Sequence, residues 1–568
     1  MQNPHDKVER SLLKIVGWTV AVIVLLSVAG VFGHRSFRSW QQRRLVAQGN
    51  AFANQGDFKR AGLNARRILQ INPDNPEAFR LFARVAEKTG SATAVDWRRR
   101  VMELGIASDE DLILLARDAI RAGDRHTADV AMSKLPPRAE SRGDYHALLA
   151  DIAFAQRNGV EMERQLSEAL RLEPQNKDYI LRLAALRLNA TDPALRERGR
   201  ATLLELQKEA PYRREATRDL AESALRSKDY AEAVRIGREL DNLPDRTFND
   251  RLILLNALKG ANDPEYAKFL TDLESNAAED QEMAAALITW MNVNNMSREA
   301  IVWSGKVPRQ TVSGTLVRIA LADAYVAVGD WEGLQRLVKG ANWGNVDFLR
   351  NALFARALRE LGNQPDSVGQ WRETVKKVTG NTRNILLLAD TVEKWNWRGE
   401  SIELLWLAAK DPVKGDDALK SLYGYFARNA DTQNLYRVLL NQLSRHPDDP
   451  NLKNNTAQLS LLLNMNRVQG RELAREVYAK DPKNPAYVST YAFSLYTNGD
   501  VQKARAAMET LSDAQRHQPE IAAYYGLILA ASGDQARATE FLDLGERANL
   551  LPEEKELVAK ARRSVAQG

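Results

Sequence analysis

The amino-acid sequence predicts an all-α chain: one N-terminal helix long enough to span a bilayer, followed by an α-solenoid of stacked helix–turn–helix units. Three observations predict it. Residues 15–33, IVGWTVAVIVLLSVAGVFG, run for 19 positions without a charge. Gly499-Asp500 and Gly533-Asp534 lie 34 residues apart, each with a small residue seven positions before the glycine (Ala492, Gly526) and an alanine five after it (Ala504, Ala538). The composition, 44% apolar and 27% charged, is globular, which calls for a packed core and excludes collagen, coiled coil and long disorder. At roughly 150 residues per domain the chain would hold three or four ordinary domains, but a repeat array removes the meaning of that count.

Taken in order, a short basic tail (1–14) comes first. The 19 apolar residues after it would span about 28 Å as a helix, against a hydrocarbon core of roughly 30 Å. Trp18, Lys14 and Arg35 fall where interfacial anchors belong. The same stretch also fits a cleaved export signal, with Ser27-Val28-Ala29 as the small residues before a cut. Lys7, Arg10 and Lys14 on one side nearly balance Arg35, Arg38, Arg43 and Arg44 on the other. The expectation is a single pass through the inner membrane with the remainder exported; a cytoplasmic remainder is the alternative.

After a basic linker (34–41), residues 43–73 set the pattern for the repeats. Counting from Gly56, Gly49 lies seven back, Phe52 four back, Ala61 and Ala65 five and nine forward, and Pro73 seventeen forward. Gly56-Asp57 ends one helix and caps the next. Gly49 and Ala61 let two helices approach, with Phe52 and Ile68 filling the space beside them. Pro73 stops the second helix. This spacing resembles the tetratricopeptide repeat, a helix–turn–helix unit of 34 residues. Gly123-Asp124 and Gly329-Asp330 repeat it, and residues 143–174 and 214–247 keep parts of it.

The resemblance implies a TPR-like α-solenoid of about 15 units, in a membrane-anchored protein of bacterial type. Its expected parts are an N-terminal array over 42–250, degenerate Trp-rich helical repeats with a wandering period over 251–415, a C-terminal array over 416–552, and a solvating cap helix and tail over 553–568. The cap reading rests on Pro552, the acids after it and the closing Arg562-Arg563.

Chemistry is not predicted. With no cysteine there are no disulfides, thiolate metal sites or cysteine nucleophiles, and the six histidines show no pair at metal-site spacing. Phosphate loops, nucleophile elbows and zinc-protease helices are missing as motifs. Asp416-Asp417 and Asp448-Asp449 read as helix caps. No enzyme, cofactor or metal is expected.

The formal net charge of +6 is unevenly spread, because residues 34–107 hold 14 Lys/Arg against 6 Asp/Glu. In the tetratricopeptide family the first helix of each unit lines a groove. Carrying its exposed positions over gives Arg43, Val46 and Asn50, then Glu77, Arg80, Arg84 and Lys88, then Ile113, Arg117 and Arg121. Asn50, Arg80, Arg84, Lys88, Arg117 and Arg121 are the candidate groove for a protein partner with acidic segments. A carboxylate clamp is only partly matched, since Val46 and Ile113 stand where it needs lysine and Arg84 where it needs asparagine. Nucleic acid is not expected, because the excess is confined to one end and has no stacking platform.

Eight of the 11 tryptophans fall between 290 and 406. Trp395 and Trp397, around Asn396 at an expected turn, are candidates for aromatic contact with a sugar or an apolar partner segment. The resulting expectation is a membrane-anchored scaffold in assembly of an envelope-associated complex. A polysaccharide export or binding factor using exposed tryptophans is one alternative, and an enzyme with a site in the middle segment another.

Overall fold

The computed structural model describes residues 37–567 apart from 92 and 413, with only the backbone at Arg125. The expected anchor at 15–33, its flanking tail and the cleavage point after Ala29 lie outside the described residues. Among those described there is no strand, and no helix is long and apolar enough to cross a membrane. Residues 37–41, expected as linker, are instead the start of a helix over 37–54.

From there the chain folds as consecutive helical hairpins. The first pairs the helix over 37–54 with Phe58–Ile71, the second Pro76–Lys88 with Ala94–Glu103, and the last Pro519–Ala531 with Gln535–Gly545. The chain forms two compact units, one up to residue 320 and one from 321.

Turn chemistry sets the hairpins. Gly56 sits at φ 78°, and Asp57 donates its backbone N–H to the Phe52 carbonyl at 2.9 Å while its side chain accepts from Arg60 N at 3.0 Å. The first bond closes the finished helix with a left-handed residue, and the second caps the next helix. The same pair of bonds recurs at Asp124, Asp330 and Asp534.

Left-handed turn residues stand at 56, 90, 123 and 157, and again at 228, 262, 295, 329, 362, 396, 430, 464, 499 and 533, in steps of 33 to 35 within each series. One hairpin between the series, Lys177–Leu188 with Pro193–Leu206, turns without such a residue and is capped by Asp192. Fifteen hairpins are present among the described residues.

The period therefore does not wander between 251 and 415. At three of its five turns the glycine marker is replaced, by Asn262, Asn295 and Asn396, all at positive φ, while Gly329 and Gly362 keep it. Asparagine tolerates the left-handed region because its short polar side chain bonds locally.

At several turns small residues seven before and five after allow close packing. A Cβ on Gly49 would lie 2.4 Å from Leu81 Cδ2, and Ala61, Ala492, Ala504 and Ala538 are fully buried. In two hairpins of the middle segment the later position is serine. Ser367 donates its hydroxyl to the Ala355 carbonyl at 2.7 Å, and Ser401 to that of Ala389 at 3.3 Å. A buried hydroxyl needs such an acceptor, and the helix opposite supplies it.

The final helix, Pro552–Gln567, does more than solvate the end. Val558 is buried, and Glu554 accepts from Leu551 N at 2.8 Å, from Gln458 Nε2 at 3.1 Å and from the Tyr524 hydroxyl. It is the first helix of a further unit, laid on Pro519–Ala531.

Candidate functional site

The candidate cations of the N-terminal units sit on first helices, but most of them are engaged. Arg80 donates from Nε to Asp111 Oδ1 at 2.9 Å and from Nη2 to Oδ2 at 2.6 Å. Asp111 also accepts from the Ser108 backbone and hydroxyl, both at 2.9 Å, completing a capping box at the next first helix. Burial alone would raise the Asp111 carboxyl, but the bonds from Arg80 and Ser108 outweigh it and hold it below the usual carboxylate range.

Arg218 repeats the arrangement. It donates to Asp250 at 2.7 Å, and Asp250, fully buried, closes a capping box with Thr247.

Elsewhere on this face, Arg117 lies 3.8 Å from Asp151, an acid it shares with Arg182, and Arg84 donates to Asn54 at 2.6 Å. Arg121 reaches Glu87 only at 4.0 Å and is largely exposed. Lys88 is exposed and Asn50 half-buried. The arginines of the expected groove thus act first as staples from one hairpin to the next. The charge excess read from the sequence is offset locally by acids that approach only when the hairpins stack.

A second cluster lies in the unit that starts at 321. Trp397 is 6% exposed and packs edge-on to Trp371 (centroids 5.9 Å apart) and Trp395 (5.5 Å), with Arg359 Cζ 3.5 Å above its ring. Arg359 is paired with Glu400 at 2.5 Å. Trp397 is therefore core, not the free contact surface expected of it. The turn at Asn396 lets its ring fold inward onto the helix Asp347–Glu360, and Arg359 covers it.

Trp395 is half-buried beneath Arg356, whose Cζ lies 4.8 Å from its ring centroid and 5.2 Å from that of Trp331. Arg356 went unnoticed in the sequence, because its two indoles lie 25 positions before it and 39 after it. Only the stacking of successive hairpins brings the three together.

No group of histidine and acidic side chains able to hold a metal occurs among the described residues. What the arrangement offers is cationic edges and half-covered indoles on helix faces repeated every hairpin.

The chain matches no family model and no curated protein. Among solved structures it is similar to one titled "Crystal structure of APC/C hetero-tetramer Cut9-Hcn1", at 12% identity and a TM-score of 0.28, over 88% of this chain and 96% of that one. So distant a likeness supports nothing about partners or activity. The class of protein rests on the fold itself: an all-α protein of stacked helical hairpins.

Proposed function

We propose that the protein is a membrane-tethered TPR-like scaffold that holds protein partners, in assembly of an envelope-associated complex, without catalysing a reaction. The observation that carries the reading is the recurrence of a left-handed hairpin turn every 33 to 35 residues within two series, which repeats one pair of helix faces from hairpin to hairpin. Such an array offers extended surface instead of a closed reaction centre. The glycan alternative needs exposed indoles, and among the described residues the exposed one is Trp40.

The tether has its own support. Phe37 and Trp40 are 58% and 54% exposed with ring centroids 6.0 Å apart, and Arg44 lies over Trp40 at 5.4 Å. They follow directly on the apolar run 15–33 in sequence. Aromatic rings beside arginines immediately after an apolar stretch suit the headgroup layer of a bilayer.

In vesicles of phosphatidylethanolamine and phosphatidylglycerol with brominated acyl chains, the full chain is expected to float with lipid. Part of its tryptophan emission should be quenched, and Trp40→Phe should shrink that part. Failure to float would end the tether; flotation with the same quenching in Trp40→Phe would confine lipid contact to residues 15–33. Crosslinking in native membranes is expected to join the chain to another protein in comparable amount, and recovery of the bare chain, or of the chain with glycan, would contradict the scaffold.

A further inference from the structure

We infer that Arg356, set between Trp331 and Trp395, is a docking point for a carboxylate of a protein partner. The inference rests on the scaffold reading and names the chemistry of the partner at one place.

The helix Asp347–Glu360 carries three arginines, and two of them are paired with acids of the chain, although Arg359 Nε is also buried without an acceptor. Arg350 pairs with Asp347 at 2.5 Å and Arg359 with Glu400 at 2.5 Å. Arg356 makes no hydrogen bond and no ion pair among the described residues; its contacts are the two indoles, 5.2 and 4.8 Å from its Cζ. Its Nε is buried without an acceptor, the residue as a whole is half-buried, and its two terminal nitrogens make no hydrogen bond among the described residues. Burial pulls its guanidinium below the ordinary value, so the charge is partly stripped of water, with Glu360 one turn on as the acid acting on it from a distance.

This is an incomplete arrangement. Indoles stabilise a guanidinium through their electron-rich faces but accept no conventional hydrogen bond. The donors left at the outer end form a planar fork, whose natural complement is a carboxylate taken in bidentate fashion. The two ring systems keep the fork from swinging toward acids of its own chain, which lowers the ordering cost on binding. Indole surface beside the fork would cover the methylene groups of a glutamate or a chain terminus. An acidic peptide segment of a partner therefore fits; a duplex or a lipid headgroup layer needs a row of cations, and the neighbouring arginines on this helix are already paired.

The test uses the full chain in detergent and a defined probe: an N-acetylated, C-amidated hexaglutamate peptide, with hexaglutamine as neutral control, followed by tryptophan emission. Wild type is expected to bind hexaglutamate and not hexaglutamine, more weakly as salt rises. Arg356→Met should weaken binding at least tenfold, and Arg356→Lys, which keeps the charge but loses the fork, at least threefold. Lys483→Met, removing an equal charge from an exposed site outside both candidate surfaces, should change it less than twofold.

Unchanged binding in Arg356→Lys, or an equal loss in Lys483→Met, would overturn the assignment, and so would the absence of hexaglutamate binding by wild type at millimolar concentration. Should Arg356→Met fail to fold, Arg356→Lys alone decides. Inorganic phosphate competing as tightly as the peptide would replace the carboxylate by a phosphate and overturn the proposal as stated. None of these outcomes bears on whether native membranes yield a protein adduct, so the scaffold reading and this site can fail separately.

Discussion

Arg98→Met is expected to destabilise its part of the chain by about 3 to 5 kcal/mol. Arg98 lies in the second helix of the second hairpin and is almost fully covered, its side chain 7% exposed. It donates from Nε to Asp118 at 2.6 Å and from Nη2 to Glu87 at 2.7 Å, tying three helices together. Methionine keeps much of the aliphatic reach but leaves Asp118, 5% exposed, as a buried carboxylate without its cation. Glu87, 28% exposed, can turn to water and should matter less.

Most of the expected loss is thus the stranded charge, not the worth of the pair. Arg98→Met/Asp118→Leu should accordingly recover to within about 1 or 2 kcal/mol of wild type, because a well-packed apolar pair often replaces a buried ion pair at little cost. Hydrogen exchange over residues 94–121 is the suitable measurement, since a repeat array opens locally and a single global midpoint would blur the effect. A single variant that exchanges like wild type would mean that water reaches Asp118.

The second large effect is expected at the other end of the chain. Gly545→Val should cost about 3 kcal/mol, at the upper end of the range for overpacking. A Cβ at Gly545 would stand 2.6 Å from Ala523 Cα and 2.8 Å from Ala523 N. Those are backbone atoms of the facing helix and cannot turn aside as a side chain would. A Cβ at Gly526 would likewise stand 2.8 Å from Leu542 Cγ and 2.9 Å from Leu542 N in the same hairpin, so the two helices are held close from both sides. The hairpin must separate, and the terminal helix laid on Pro519–Ala531 should loosen with it. Exchange should rise over 519–567 and stay unchanged in distant hairpins, because stacked units contact chiefly their neighbours. Faster exchange throughout the chain would contradict that picture.

The difference between what the sequence revealed and what it concealed follows the physics of each marker. Gly499-Asp500 and Gly533-Asp534 were readable because glycine is the default for a left-handed turn and aspartate for a cap. Asn262, Asn295 and Asn396 perform the same turn, yet asparagine is common in loops and in caps, so its presence alone singles out nothing. Lys228 and Ala430 also adopt positive φ, a conformation costing roughly 1 kcal/mol or more that no local pattern announces.

Ser367 and Ser401 stood where alanine was sought, and only the facing carbonyl explains them. The candidate groove is a different case. Arg80 and Arg117 were rightly placed on first helices, but their acids, Asp111 and Asp151, come from the next hairpin. Whether a charge on a repeat is free depends on the stacking offset, and a residue list does not carry that offset. The same applies to Trp397, whose inward fold depends on the turn at Asn396 and on Arg359 from another hairpin.

The hairpin register continues through 251–415 without interruption, and the rest of the fold depends on it. Because the chain has no cysteine, paired thiols can be placed in it without competitors. In Ala355→Cys/Ser367→Cys the two positions face each other across the hairpin, where Ser367 Oγ now meets the Ala355 carbonyl at 2.7 Å. In Ala355→Cys/Val368→Cys the second thiol would sit on the outer side, where Val368 is 39% exposed. A disulfide tolerates Cα separations up to about 7 Å and needs the Cβ atoms turned toward each other. Under mild oxidant the first pair should close to a disulfide in chains that keep wild-type helicity, and the second should remain two thiols. Oxidation of the 355/368 pair with the 355/367 pair left reduced would put the register of this hairpin out by one residue and contradict the account.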